Sequence, residues 1–198
     1  MVYIRTANKS QKVIGRSLSM FEGMLQKFKR ANELAKYIND GFKELVVDLD
    51  GTIFNTHIAA YVYKDYLGID TKSIVDVCAY IPDVDPNKVE EFLSKYTLYF
   101  VEPVTIYLLR HVRIPISIKT KRQGKAIPSD LDVKFTELVG RPFNDIYVNV
   151  KATDFSDNVC LLDDFPKFFE DYKPRDWDIC VKRIWSWDAQ IELMPLIP

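Results

Sequence analysis

The sequence predicts an α/β fold in which helices cover both faces of a parallel sheet. Five short apolar runs rich in β-branched residues recur along the chain, and stretches of helical periodicity separate most of them. A long amphipathic segment precedes the first run, and residues 55–101, after that run, carry helical signals only. Strands that alternate with helices form parallel sheets. The helical stretch is therefore predicted to be an insert above one end of the sheet.

Composition narrows the class of protein. With 198 residues, 47% of them hydrophobic, the chain fits one domain with a small insert. It has neither an apolar run of about 18 residues nor a signal peptide, so we expect a cytoplasmic protein without a membrane span. Cys78, Cys160 and Cys180 lack metal or redox spacing and are predicted to be free thiols. Two histidines, His57 and His111, offer little material for a histidine-rich metal site or a Ser-His-Asp triad.

The first 44 residues differ in charge from the rest. They hold nine Lys/Arg and four Asp/Glu, a net charge of +5, whereas residues 45–198 carry a net charge of −6. An apolar stripe at three- and four-residue steps predicts one helix, with Ser19 and Glu22 as a capping box and Gly41 at its end. We interpret residues 1–42 as an N-terminal helical extension.

The stripe of this helix must be buried against something. Packing on the body of the same chain is the first interpretation, and a homodimer mate or another protein partner is the alternative. Its basic residues are predicted to form a solvated face rather than a nucleic-acid contact, because aromatic residues do not interleave with them.

The predicted elements of the body follow in order. The strands are residues 44–48, 114–120, 145–150, 158–164 and 178–185. Two helices between or after them are predicted from Ser129 to Val139, ended by Gly140, and from Pro166 to Tyr172. The insert is predicted to contain a helix over residues 55–67, a second capped by Thr71, and a third begun by Asp85 and Pro86.

Chemically active side chains follow four of these strands. Ligand sites in open parallel sheets lie outside the carboxyl ends of the strands. Asp48 and Asp50 lie at the end of the first strand. Thr120, Lys151 and the pair Asp163 and Asp164 lie at the ends of the next three. Crowded carboxylates repel one another, and a hard cation such as Mg²⁺ relieves this repulsion. The pattern therefore predicts a Mg²⁺ site that also holds a phosphate.

The motif DLDGT at residues 48–52 resembles the first motif of the haloacid dehalogenase-like (HAD) phosphatase superfamily. Thr120 resembles the second motif, Lys151 the third and Asp163-Asp164 the fourth, in the order of the family. The resemblance implies a three-layer, Rossmann-like parallel sheet formed by residues 43–54 and 102–198. It also implies a helical C1-type cap formed by residues 55–101.

Two of these assignments have competitors within the sequence. Ser117 lies in the same run as Thr120, but alternation places it on the opposite face of the strand. Lys134 competes with Lys151 but falls within a predicted helix, whereas Lys151 directly leaves a strand.

The resemblance also implies roles for individual residues. Asp48 would be the nucleophile that forms an aspartyl-phosphate, and Asp50 would transfer protons to the leaving group and from water. The Mg²⁺ ligands would be Asp48, the Asp50 carbonyl and Asp163, with Asp164 orienting a metal-bound water. The phosphate would be held by Gly51, Thr52, Thr120 and Lys151.

The substrate is expected to be a small phosphate ester. Residues 143–166 are similar to the 5'(3')-deoxyribonucleotidase branch of the superfamily, which suggests a nucleoside monophosphate. Phe54 could stack on the base, as could Tyr61, Tyr63 and Tyr66, although tyrosines at helical spacing are more often core residues of the insert. Lys121 and Arg122 are candidates for a second phosphate or a nucleic-acid backbone, or for solvated side chains.

Other functions remain open at this stage. The alternatives are a phosphatase for another small phosphate ester or for a 3'-phosphorylated nucleic-acid end, and a non-catalytic HAD-fold binding module. The presence of both Asp48 and Asp50 favours an enzyme, because a binding module has no need of a nucleophile beside an acid.

Overall fold

A six-stranded sheet forms the centre of the fold. The structure is a computed structural model that describes residues 4–69, 85–164, 175, 177–183 and 191–195. The strands are β1 (Glu44–Asp48), β2 (Ile116–Thr120), β3 (Ile146–Val148), β4 (Val159–Asp163), β5 (Ile179–Arg183) and β6 (Ile191–Pro195). The first five are parallel, which confirms the α/β fold class and the five predicted strands. The sequence reasoning missed β6, which pairs antiparallel to β5.

The order of the strands determines where a ligand can bind. Across the sheet the order is β3-β2-β1-β4-β5-β6. The chain therefore adds β2 and β3 on one side of β1 and then crosses to add β4 on the other side. In open α/β sheets such a reversal creates a crevice at the carboxyl ends of the two central strands. Here those strands are β1 and β4.

The described residues contain six α-helices. They are α1 (Ile4–Gly41), α2 (Thr56–Val62), α3 (Lys64–Leu67), α4 (Pro86–Glu91), α5 (Pro103–His111) and α6 (Leu131–Val139). The sequence reasoning missed α5. It predicted the end of α6 correctly, because Gly140 adopts the left-handed conformation with φ 87°. The predicted helix over residues 166–172 lies outside the described residues.

Alternation along the strands divides the core between the two faces of the sheet. Leu45 and Val47 of β1 belong to the main hydrophobic cluster, together with side chains from α1, α5 and α6. Val46 points to the opposite face, where it packs in a smaller cluster with Leu161 and Ala152. Asp48 has the same parity as Val46, so it projects from the face of the smaller cluster.

The insert has a small core of its own in its described parts. Asn55 caps α2 by accepting a hydrogen bond from the Ile58 N–H, and Asp85 caps α4 with Pro86 at its first position, as predicted. A π-helical turn, Phe92–Tyr96, and a 3₁₀ turn, Thr97–Tyr99, follow α4. The predicted helix capped by Thr71 lies outside the described residues.

Helix α1 is longer and more deeply integrated than the sequence predicted. It begins at Ile4 rather than at the predicted capping box of Ser19 and Glu22, and it ends at Gly41 as expected. The second half of the helix joins the main core through four buried side chains, Ala31, Leu34, Ala35 and Ile38. Packing on the body of the same chain, the first of the two interpretations, is confirmed for this half.

Polar contacts fix α1 against α5 and the residues after it. The Asn39 amide donates to the His111 carbonyl (3.0 Å), and its side-chain oxygen accepts from the Arg113 N–H (2.6 Å). Asn32 donates to the Tyr107 hydroxyl (3.0 Å). Residues 31–41 are therefore part of the body rather than an extension of it.

Two further expectations concern location and thiols. Among the helices of the described residues, none is long and apolar enough to cross a membrane. Cys160 is a buried free thiol, and burial raises its pKa to about 12, so it is protonated at neutral pH. Cys78 lies outside the described residues.

The position of α1 generates a stability prediction. We expect Ile38→Ala to lower the free energy of unfolding by about 2–5 kcal/mol, because Ile38 is fully buried in the main core. Leu25→Ala is the control on the same helix, since Leu25 is 55% exposed, and its effect should stay within about 0.5 kcal/mol. Urea denaturation followed by circular dichroism measures both. Equal effects would show that α1 does not pack on the core in this way.

Candidate functional site

Three carboxylates meet at the crevice between β1 and β4. Asp48 ends β1, Asp163 ends β4, and Asp164 follows directly. The two strands are hydrogen-bonded neighbours, with Val47 opposite Leu162, so their ends lie side by side. One carboxylate oxygen from each residue lies within 4.8 Å of the other two. The structure thus brings together three of the four carboxylates that the sequence placed at the strand ends, and the fourth, Asp50, is not part of this cluster.

A buried lysine reaches the same cluster from β2. Lys119 is the residue opposite Asp48 in the sheet register, and its ammonium nitrogen lies 3.0 Å from Asp163 Oδ2. Both side chains of this ion pair are only 11% exposed. The contact brings a positive charge to the three carboxylates and offsets part of their mutual repulsion.

This repulsion is visible in the protonation of the cluster. Burial raises the pKa of Asp48 well above its usual range, and the charges of Asp163 and Asp164 raise it further against the opposing charge of Lys119. Burial alone would lower the pKa of Lys119, but Asp163 and Asp48 outweigh that effect and raise it. The raised pKa of Lys119 favours its charged form, and the raised pKa of Asp48 favours its protonated form.

Gly51 leaves room for one of the carboxylates. Its backbone has φ 90°, a conformation that side chains disfavour, and a Cβ at this position would lie 1.8 Å from Asp164 Oδ2. Its N–H donates to the Phe54 carbonyl (2.7 Å), so that group is engaged within the turn rather than directed to a phosphate. The predicted phosphate contact of Gly51 is therefore replaced by a steric role.

Thr52, the next residue of the motif, is fully buried. Its hydroxyl has no hydrogen-bond partner among the described residues. A buried hydroxyl without a partner is uncommon in folded proteins. The predicted contact of Thr52 with a phosphate stays a prediction.

Asp50 is held by two neighbours. The Thr56 hydroxyl donates to its Oδ1 (2.5 Å), and Arg122 donates to both carboxylate oxygens, from Nη2 to Oδ1 (2.5 Å) and from Nε to Oδ2 (2.8 Å). Burial would raise the pKa of Asp50, but the Arg122 guanidinium and these hydrogen bonds outweigh it and hold the pKa below its usual value. Asp50 is therefore an anion at neutral pH in this arrangement.

Thr120 and Lys151, which follow other strands and were predicted to bind phosphate, differ from each other in burial and contacts. Thr120 ends β2, is almost completely buried, and its hydroxyl accepts from the Arg122 N–H (3.1 Å). Lys151 is exposed at the start of a 3₁₀ turn, where its backbone N–H donates to the Asp154 carboxylate (3.1 Å). In the described residues, Lys119 rather than Lys151 is the lysine that contacts the carboxylate cluster.

The residues predicted to contact the substrate differ in whether their side chains are buried or exposed. Phe54 is fully buried in the main core, so the predicted stacking of a base on it is wrong for this conformation. Arg122 is 5% exposed, so the solvated alternative for it is wrong as well. Lys121 is exposed. Tyr63 and Tyr66 pack in the core of the insert, as the structural interpretation of these tyrosines predicted.

Sequence reasoning missed Lys119 although the sequence contained a signal for it. The run ISIKT places a lysine inside a strand that is otherwise apolar, and a buried lysine requires an anionic partner. Which carboxylate it pairs with depends on the register between β1 and β2. The signal therefore identifies a buried ion pair, but not its location at the cluster.

The cluster suits a divalent cation. Carboxylate oxygens from Asp48, Asp163 and Asp164 are hard ligands of the kind that Mg²⁺ prefers, and a charge of +2 offsets the repulsion that remains among them beside Lys119. The space that Gly51 provides beside Asp164 keeps this carboxylate at the cluster. The described residues are therefore consistent with the expected Mg²⁺ site.

Comparisons of the chain with protein-family models, with curated proteins and with solved structures gave no match. What the site does is therefore inferred from its geometry and chemistry together with the resemblance of its sequence motifs.

The close approach of Gly51 to Asp164 generates a prediction about metal affinity. We expect Gly51→Ala to weaken Mg²⁺ binding by about 10- to 100-fold, because the added Cβ displaces a carboxylate of the cluster. Gly140→Ala is the matched control, since Gly140 has φ 87° but no atom within 4 Å of an added Cβ. Both variants should lose stability through backbone strain, and isothermal titration with Mg²⁺ separates that loss from the effect on binding. Equal Mg²⁺ affinity in the two variants would contradict the steric role.

Proposed function

We propose that this protein is a Mg²⁺-dependent phosphomonoesterase that forms an aspartyl-phosphate on Asp48. The observation that carries the proposal is the meeting of Asp48, Asp163 and Asp164 beside one buried lysine at the crevice between β1 and β4. The DLDGT motif and the acidic pair, in the order typical of HAD phosphatases, support the same assignment. The helical insert corresponds in this proposal to the cap of such enzymes.

Asp48 is the proposed nucleophile. Its carboxylate attacks the phosphorus, the bond from phosphorus to the ester oxygen breaks, and the alcohol leaves with a proton. Water then hydrolyses the aspartyl-phosphate, which releases inorganic phosphate and restores the carboxylate. The ammonium of Lys119 offsets the negative charge that the phosphate adds to a site already rich in carboxylates.

Asp48, Asp163 and Asp164 would hold the Mg²⁺ ion. When bound, the ion supplies positive charge that offsets the phosphate oxygens and lowers the tendency of Asp48 to hold a proton. The buried hydroxyls of Thr52 and Thr120 lie in the turn after β1 and at the end of β2, and in this proposal they contact the phosphate.

Asp50 is the proposed proton-transfer residue. As an anion held by Arg122 and Thr56 it is prepared to accept a proton from the attacking water in the second step. Donation to the leaving group in the first step requires a protonated Asp50. The pairing with Arg122 opposes that form, so we infer that this pairing changes during the reaction cycle.

The substrate class rests on resemblance to the nucleotidase branch. Of the aromatic side chains considered for base stacking, Tyr61 on α2 is 49% exposed and remains available. A nucleoside monophosphate is therefore the first substrate to test, before sugar phosphates and 3'-phosphorylated DNA.

A non-catalytic binding module is the second candidate. One observation favours it, namely that both oxygens of Asp50 are already engaged by Arg122. Such a module would bind Mg²⁺ and a phosphorylated ligand without releasing phosphate.

The nucleophile assignment is tested by Asp48→Asn. Release of inorganic phosphate from nucleoside monophosphates, sugar phosphates and 3'-phosphorylated DNA is measured with and without Mg²⁺. We expect Mg²⁺-dependent release by the wild-type protein and a loss of at least about 10³-fold in the variant, since asparagine keeps the shape but cannot attack phosphorus. Asp157→Asn, which changes an exposed aspartate before β4, is the control and should retain activity. Phosphate release by pure Asp48→Asn at the wild-type rate would refute the mechanism.

The two lysines are compared in a separate experiment. We expect Lys119→Met to lower kcat/KM by about 10²-fold or more, because a buried positive charge is lost beside the phosphate. Lys151→Met should change kcat/KM by less than about threefold, because the Lys151 side chain is exposed and the hydrogen bond to Asp154 is made by its backbone N–H. Lys119→Arg keeps the charge and should retain part of the activity. The reverse order of effects would support the third-motif role of Lys151 that the sequence suggested.

A further inference from the structure

Arg122 joins three separate parts of the molecule. It lies two residues beyond the end of β2, and its guanidinium contacts Asp50 in the turn after β1. It also reaches the insert, where Nη1 donates to the Leu93 carbonyl (2.6 Å) and Nη2 to the Thr97 hydroxyl (3.2 Å). A further bond from Nη1 to the Ala126 carbonyl (3.3 Å) holds its own loop.

These contacts use the whole guanidinium. Nε has one acceptor, Nη1 has two and Nη2 has two, which matches the five N–H donors of arginine. A buried arginine with every donor engaged is not arranged to bind a substrate phosphate. Its hydrogen bonds instead connect the insert to the turn that carries Asp50.

The insert contacts Arg122 through its π-helical turn. The Leu93 carbonyl lies in the turn Phe92–Tyr96 and accepts both from Arg122 and from the Thr97 hydroxyl (2.7 Å). π-Helical turns are rare and are frequent at functional sites. The part of the insert that contacts Arg122 is thus locally irregular in its backbone.

Arg122 also fixes the orientation of the Asp50 carboxylate. Oδ1 accepts two hydrogen bonds, from Arg122 and Thr56, and Oδ2 accepts one from Arg122. Two parallel N–H bonds from a planar guanidinium fix the plane of a carboxylate as well as its position. A rotation of Asp50 toward a substrate would break this pair.

We propose that Arg122 is a positioning residue that couples the seating of the insert on the core to the orientation of the Asp50 carboxylate. If the insert moves away from the core, Arg122 loses its acceptors at Leu93 and Thr97, and its hold on Asp50 changes with them. If Asp50 turns or loses its charge, the insert loses one of its attachments. The proposal rests on the proposed phosphatase function for its catalytic consequence, but the coupling is a property of the fold.

A second buried arginine provides a matched control. Arg175 also pairs with an aspartate through Nε (3.2 Å) and Nη2 (3.0 Å), and it donates to the carbonyls of Phe155, Ser156 and Val159. Its partner Asp178 accepts from the Leu161 N–H of β4, and none of these contacts involves the carboxylate cluster. Loss of this pair should affect stability without affecting Asp50.

The kinetic arm compares Arg122→Lys with Arg175→Lys in the full chain. We expect Arg122→Lys to lower kcat by about 10- to 100-fold with KM and the Mg²⁺ requirement within a few-fold, because lysine cannot hold both oxygens of Asp50. Arg175→Lys should lower the melting temperature and leave kcat per folded molecule within about twofold. Equal kcat losses in the two variants would overturn the positioning role.

The structural arm needs no activity. Amide hydrogen exchange is measured by mass spectrometry for peptides that contain residues 92–97, in the wild type, Arg122→Lys, Asp50→Asn and Arg175→Lys. We expect exchange in these peptides to accelerate by about tenfold or more in the first two variants and to stay unchanged in the third. Asp50→Asn is the decisive variant, because it preserves size and removes the charge that pairs with Arg122, which contacts Leu93 and Thr97.

The two arms separate the possible failures. Unchanged exchange at residues 92–97 in Asp50→Asn would overturn the coupling, whatever the kinetics show. An absence of phosphate release by the wild-type protein would refute the proposed function and the catalytic role of Arg122 with it. The exchange data would then still decide whether Asp50 and the insert are coupled.

Discussion

The constraint on which the site depends is the crowding of three carboxylates, of which Asp163 is buried and Asp48 and Asp164 are half-buried. One oxygen of each lies within 4.8 Å of the other two, so their charges repel, and the ammonium of Lys119 offsets part of this repulsion. Two features of the local structure make this arrangement possible. The left-handed turn at Gly51 makes space for Asp164, and β2 places Lys119 in register with Asp48. A cation would offset the repulsion among these carboxylates, which is the physical basis for the proposed Mg²⁺.

The outline of this site could be predicted from the sequence because it depends on a few regular features. Apolar runs identify parallel strands, and the carboxyl ends of parallel strands meet at one edge of the sheet. Asp48 and the Asp163-Asp164 pair follow such runs directly, so their convergence requires no knowledge of side-chain packing. The antiparallel strand β6 lies outside this logic and was missed.

The contacts that refine the site depend on register and burial, which a single sequence does not reveal. Lys119 and Thr120 are adjacent in the chain, yet alternation sends them to opposite faces, and only the pairing of β1 with β2 brings Lys119 to Asp163. Arg122 could not be placed, because its partners come from the turn after β1 and from a π-helical turn with no clear sequence signature. Helix α1 was underestimated for a related reason. Its charge suggested separation, but charge describes its exposed face and not the four side chains that it buries.

The two cations near the site differ in a way that matches their roles. Lysine is a compact charge on a flexible stem, and Lys119 donates a hydrogen bond to Asp163 while its charge also acts on Asp48. Arginine is a rigid planar fork, and Arg122 fixes one carboxylate in both position and plane while its other donors hold the insert. Under the proposed function, a cluster that admits a cation and a phosphate gains from the first kind of neighbour, since its ligands can adjust. Under the same proposal, a carboxylate that transfers protons from a fixed orientation gains from the second.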